Sequence, residues 1–119
     1  MEKPEFRAIQ RKDGTSEFVE FLESLPVKDS AKLLATIENV QDVGLLVAQR
    51  LEWVKKLDSN LYELRSKVGN NIQRAIYFQK VGNKYLITHG FTKKTQKTPR
   101  REIEHAKRIR EQYMKGEVE

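Results

Sequence analysis

Cationic side chains recur in the second half of the chain at positions where strand patterning calls for apolar ones. Arg65 and Lys67 stand two apart in a strand-like run, which sends both to one face with Glu63 beside them. Arg74 occupies the alternation position it shares with Ile72, Ile76 and Phe78. His89 lies near the end of a third such run, and Lys93 to Arg101 then holds five positive charges (Lys93, Lys94, Lys97, Arg100, Arg101) and no acid. These residue types suit phosphate chemistry. Cleaving a phosphodiester without a metal requires removal of the 2'-hydroxyl proton, charge stabilisation at phosphorus and protonation of the leaving 5'-oxygen. A guanidinium fork grips two phosphate oxygens at once, and histidine exchanges protons near neutral pH. Crowded lysines disfavour one another's charge, which suits one of them to proton transfer.

Each residue also has a plainer reading. Arg74 can be a buried arginine paired with Glu63, Lys67 a solvated strand residue, and His89 a histidine hydrogen-bonded within a sheet. Lys97, Arg100 and Arg101 can grip RNA with no part in chemistry. Tyr77 and Phe91 can stack on a base or pack in the core, and His105 reads as structural or exposed. The assignment carried forward has Arg65 and Arg74 binding and polarising the phosphate, Lys93 and Lys94 neutralising developing charge, and His89 moving a proton. Were the ligand an RNA strand, Lys67, Tyr77, Phe91, Lys97, Arg100 and Arg101 would contact it.

The elements that must hold these residues follow from periodicity. Glu5 to Gln10 alternates as a short strand closed by Lys12-Asp13-Gly14. Thr15 or Ser16 caps a helix carrying Phe18, Val19, Phe21, Leu22 and Leu25, which Pro26 stops. A second helix runs from Lys28 to Asp42 with Ala31, Leu33, Leu34, Ile37 and Val40 as its stripe, and Gly44 as breaker. Residues 45–60 form a helical or extended connector that buries Trp53 and Leu57. Leu61–Val68, Ile72–Val81 and Lys84–Phe91 read as an antiparallel meander, with Gly69-Asn70-Asn71 and Gly82-Asn83 as turns. Thr98 as cap and Pro99 as first residue open a last helix with Ile103, Ala106, Ile109 and Tyr113 on one side, and Arg108, Arg110 and Lys115 suited to its carboxyl-terminal dipole. Residues 116–119 read as a frayed tail. The order β, α, α, β, β, β, α predicts an α+β sandwich in one domain, 1–119.

Composition narrows the function further. The net charge is +6, but residues 1–60 carry 9 Lys+Arg against 11 Asp+Glu (−2), while residues 61–119 carry 14 against 6 (+8). With an isoelectric point near 9.6, the field is concentrated on one half of a small domain, as a phosphate-backbone ligand requires. Without cysteine there is no disulfide, thiolate nucleophile or sulfur-ligated metal, and two histidines lacking nearby carboxylates in ligand spacing predict no metal and no cofactor. Met1 to Glu5 lacks the build of a signal peptide and no apolar run reaches membrane-spanning length, so the expected location is the cytoplasm, with no membrane partner.

Leu61-Tyr62-Glu63-Leu64-Arg65, Arg74-Ala75-Ile76-Tyr77-Phe78 and His89-Gly90-Phe91-Thr92-Lys93-Lys94-Thr95-Gln96-Lys97-Thr98-Pro99, in this order, resemble the HigB-like, phage-related branch of the RelE/ParE toxin superfamily. The Asp13-Gly14 turn and Glu102 to Ala106 extend the likeness over nearly the whole chain, although a proline expected between Val47 and Trp53 is missing. The resemblance implies a microbial RNase-like fold, an antiparallel sheet with an amino-terminal helical hairpin and a carboxyl-terminal helix. It implies an mRNA endoribonuclease, ribosome-dependent in better-known members, that inhibits translation. It also implies a hetero-oligomer with a helix-turn-helix, HigA-like antitoxin, through which alone operator DNA would be reached. The resemblance favours Arg65, in its Glu-Leu-Arg run, as a phosphate ligand. The alternative is a non-enzymatic ParE-like gyrase inhibitor or a basic nucleic-acid-binding domain, since the fold does not fix the activity.

Overall fold

In the computed structural model, which describes residues 3–119, nine elements follow one another: β1 (Glu5–Ala8), α1 (Glu17–Ser24), α2 (Val27–Val43), α3 (Leu45–Arg50), β2 (Val54–Asp58), β3 (Leu61–Val68), β4 (Asn71–Val81), β5 (Lys84–Lys93) and α4 (Arg100–Met114). Met1 and Glu2, which enter the reading of the amino terminus, lie outside the described residues. No helix among the described residues is long and apolar enough to cross a membrane.

The five strands form one open sheet in the order β1-β5-β4-β3-β2. Ser16, not Thr15, caps α1, its side chain accepting from the Val19 amide. From β1 the chain crosses over α1, α2 and α3 to the opposite edge, where β2 starts a four-strand antiparallel meander back. The meander returns along the direction in which β1 ran, so β5 pairs with β1 in parallel, from Glu5 opposite Lys84 to Ala8 opposite Ile87. The expected antiparallel sheet is therefore mostly, not wholly, antiparallel. The connector resolves into α3 and β2, and it leaves Trp53 and Leu57 only half-buried.

Both faces of the sheet are covered. Phe18, Leu33, Ile37, Val40 and Ala48 pack on Leu64, Ala75, Tyr77 and Ile87 on one face, while Ile103, Ala106 and Ile109 of α4 pack on Leu61, Ile76, Phe78 and Leu86 on the other. Of the predicted α2 stripe, Ala31 and Leu34 are exposed. Gly90 faces α1 so closely that a Cβ there would lie 2.4 Å from the Phe21 ring. One irregularity matters for the site: β4 and β5 slip register between Ile76 and Tyr77, which face His89 and Ile87 and leave Thr88 as an extra residue. Strict alternation would put His89 on the same face as Ile87, and the bulge turns it toward α4.

The tail is not frayed. Glu119 exchanges two backbone hydrogen bonds with Gln10, and Val118 packs against the α4 core. Nor do basic residues fill the last turn of α4; Arg110 instead donates to the carbonyls of Ser59 and Asn60, tying the β2–β3 turn to the helix.

Candidate functional site

On the α4 face, register places Arg65 opposite Arg74, Arg74 opposite Phe91, and Glu63 opposite Ile76, so Glu63 lies diagonally from Arg74. Glu63 is fully buried, accepts two hydrogen bonds and pairs with a second guanidinium. Arg65 Nε donates to its Oε2 at 2.5 Å, Thr98 Oγ1 donates to its Oε1 at 2.5 Å, and Arg74 Nη1 stands 3.6 Å from Oε1. Arg74 Nη1 also donates to Thr98 Oγ1 at 3.3 Å, and Nη2 donates to the Thr95 carbonyl. Arg65 extends the same pattern outward, with Nη1 on Gln96 Oε1 at 2.8 Å and Nη2 on the Gln96 carbonyl at 2.9 Å. Two guanidiniums around one carboxylate thus pin the segment between β5 and α4 onto the sheet. The Thr98 hydroxyl is spent here, so it does not cap α4, whose N-cap is Pro99 without a side-chain bond.

This geometry sorts the residues singled out from the sequence. Arg74 is 0% exposed, its Nε has no partner among the described residues, and burial lowers its pKa against the pull of Glu63. The pairing with Glu63 is present, and no face of the guanidinium is open to a phosphate while residues 95–98 lie over it. Arg65 keeps some exposure at the edge of the cluster. Lys67, Lys94 and Lys97 are exposed and Lys93 is half-buried. Arg100 and Arg101 carry side chains 73% and 76% exposed, with Arg100 Nε 3.1 Å from Glu104. The segment that carries these cations is thus tied through Thr95, Gln96 and Thr98 to the buried ion-pair cluster, with Lys94, Lys97, Arg100 and Arg101 at the surface.

Three other residues stand apart from solvent. Tyr77 lies on the opposite face, 1% exposed, stacked on Tyr62 and edge-on to Phe6, and offers no ring to a base. Burial raises its phenol pKa. Phe91 packs in the α4 core beneath the Arg74 guanidinium. His89 is 2% exposed, with Nε2 3.0 Å from Glu102 Oε1 and Nδ1 3.1 Å from Thr88 Oγ1. Burial lowers its pKa, offset in part by Glu102 and reinforced by His105, whose ring centroid is 4.6 Å away. A neutral ring donates from Nε2 to Glu102 and leaves Nδ1 as an acceptor that shares the single Thr88 hydroxyl proton with the Ile76 carbonyl. It holds β5 to α4 and meets no substrate in this arrangement.

Sequence reasoning passed over several participants. Glu63 entered only as a partner for Arg74, although it too interrupts an apolar strand. Gln96, Thr98 and Glu102 entered only within the runs that carry the family resemblance, Thr98 also as a helix cap. His105, read as structural or exposed, is partly exposed and bonded to Glu17 Oε1 at 2.6 Å, joining α4 to α1. Among the described residues, no three His, Cys, Asp or Glu side chains converge as metal ligands.

A family model described as phage-derived protein Gp49-like (DUF891) matches residues 20–111, well over half of the chain. The chain belongs to the Gp49-like family. Gp49-like proteins are a toxin-like family, compatible with the toxin of a toxin-antitoxin system. The matched span of this Gp49-like chain runs from within α1 through most of α4 and so contains the whole ion-pair cluster and the cationic strip. Comparison with curated proteins gives no match.

Proposed function

We propose that this Gp49-like protein is the toxin of a type II toxin-antitoxin pair, of the HigB-like branch of the RelE/ParE superfamily, and acts as a metal-independent endoribonuclease on messenger RNA at the ribosome. The observation that carries the reading is the acid-free cationic strip Lys93–Arg101, exposed and anchored by a buried Glu63–Arg65–Arg74 cluster. Exposed cations near a flexible polyanion bind it by releasing its counterions, and a rigid support keeps them aimed.

In this mechanism Lys67, Lys97, Arg100 and Arg101 hold the RNA backbone. Arg65, whose outer nitrogens rest on Gln96, exchanges those contacts for oxygens of the scissile phosphate. Lys93 and Lys94 neutralise charge on the phosphorane and handle the protons. The 2'-oxygen attacks phosphorus, the bond to the 5'-oxygen breaks, and the products are a 2',3'-cyclic phosphate and a 5'-hydroxyl end. Arg74 acts through Glu63 and Thr95 as a positioning residue, in place of the direct phosphate contact expected from sequence. His89 likewise positions α4 through Glu102. The partner is a helix-turn-helix antitoxin that covers the strip.

The test is expression of the chain alone and with the neighbouring antitoxin gene, with message ends mapped in a translating extract. Growth arrest relieved by the antitoxin, with new 5'-hydroxyl ends lost in Lys94→Ala, is expected. Intact transcripts with damaged DNA would replace this reading by gyrase poisoning.

A further inference from the structure

Beyond Leu64, β3 loses its partner β2, and the sheet edge there faces α2 across a recess of about 380 Å³. Lys32, Thr36 and Asn39 of α2 form one wall, one turn apart along a single helix face. Trp53, Ser66 and Lys67 form the other. Ser66 is 5% exposed and its hydroxyl has no hydrogen-bond partner among the described residues, a condition folded chains seldom leave unanswered. Glu52, with φ of 62°, ends α3 in a left-handed turn in which the Trp53 amide donates to the Ala48 carbonyl, and this fixes Trp53 beside the recess. Three cations, Lys32, Arg65 and Lys67, line the recess against one acid, Glu52.

We propose that this recess is a nucleobase subsite, in which one base of a bound ribonucleotide strand lies on the Trp53 indole with its polar edge toward Ser66 and Asn39. The inference rests on the RNA reading above and names where the strand is gripped. An aromatic face accepts any base, and a hydroxyl serves as donor or acceptor, so the subsite tolerates sequence while requiring a base. The phosphates flanking that base meet Lys32 and Lys67. Arg65 and Gln96 line the recess and are bonded to each other, so a strand leaving the recess past Gln96 meets the segment that carries Lys94 and Lys97. A free nucleotide shares this chemistry with an RNA residue.

Trp53 is the single tryptophan, so its emission reports on the recess alone. The full chain is titrated with a labelled single-stranded oligoribonucleotide, the same strand made abasic, and each mononucleotide, reading Trp53 emission and label anisotropy together. The expected result is quenching by the intact strand with the same midpoint as the anisotropy change, and anisotropy without quenching for the abasic strand. Ser66→Ala should weaken the intact strand about 2- to 10-fold, the range of one neutral hydrogen bond, with the abasic strand unchanged and no loss of thermal stability. Trp53→Phe should keep the preference for the intact strand, and Trp53→Leu should lose it. RNA binding with unchanged emission, or equal quenching by the abasic strand, overturns the subsite and leaves the RNA reading standing. If anisotropy shows no RNA binding, the RNA reading falls. Quenching by mononucleotides alone would then assign the recess to a free nucleotide, and quenching by neither overturns both.

Discussion

The face of the sheet beneath α4 is closed in two ways. At one end the helix lays Ile103, Ala106 and Ile109 on Leu61, Ile76 and Phe78, and apolar burial suffices. At the other end residues 95–98 cross the sheet as irregular chain, and charge is buried there instead: Glu63, Arg74 and the inner part of Arg65. The difference follows from the covers. A helix satisfies its own carbonyls, whereas an irregular segment brings carbonyls such as those of Thr95 and Gln96 that need donors from below. An arginine in a strand supplies such donors at fixed spacing, and the carboxylate of Glu63 then offsets the two charges.

The sharpest way to break this contrast is Glu63→Ala. It leaves two guanidiniums facing each other across paired strands, one fully buried, and should cost about 3–5 kcal/mol in urea unfolding. Arg74→Met should cost clearly less, because Glu63 keeps Arg65 and Thr98, while the strip becomes more open to proteolysis at Lys94 and Lys97. Equal losses for the two variants would mean the charges contribute as a symmetric pair and not as loop anchors. Next in size is Gly90→Ala on the opposite face, where the new methyl meets the Phe21 ring. A loss of about 1–3 kcal/mol is expected, largely recovered by adding Phe21→Leu, and additive behaviour of the two changes would argue against the contact.

A smaller effect tests the boundary between the two covers, where His89 meets Glu102. With its pKa lowered in the folded state, the unfolded chain binds the extra proton first, so stability is full above the ordinary histidine value near 6.5 and declines as pH falls through it. Thermal melts across pH 5 to 8 should show that decline, reduced in His89→Gln. A slope of the opposite sign would mean that Glu102 and Glu17 outweigh burial. The smallest stability effects belong to the surface of the strip: Arg100→Ala and Arg101→Ala should change unfolding free energy by no more than about 0.5 kcal/mol. The same variants should each lower the salt slope of RNA binding by about one, measurable by anisotropy at stepped salt concentrations.

Much of this architecture is legible from periodicity because the informative elements obey it. β3 runs over the predicted residues, β4 and β5 differ by one or two at an end, and Gly69 and Gly82 adopt the positive φ their turns demand. The connector is opaque because α3 exposes Leu46 and Val47 and β2 reads Val-Lys-Lys-Leu-Asp, so neither carries a clean period. The site is half legible for a different reason. A charge at an apolar strand position signals that something unusual is built there, but both a phosphate and a loop carbonyl satisfy a guanidinium. Which of them it meets depends on Gln96 and Thr98, whose side chains reach back over more than 30 residues. The Thr88 bulge is invisible in the same way, since nothing in Ile87-Thr88-His89 announces that one residue will be skipped.

The parallel pairing of β1 with β5 bears on how the chain is made. β1 finds its neighbour in the sheet only once residues 84–87 are available, after β2, β3 and β4 have all been made. Closing so long a loop is slow compared with local pairing, so the sheet seals late. The cationic strip begins where β5 ends, and the residues that hold it down are drawn from β3, β4 and the segment just before α4. The strip is therefore held in place only when β3, β4 and residues 95–98 have folded together, and no shorter piece of the chain presents it.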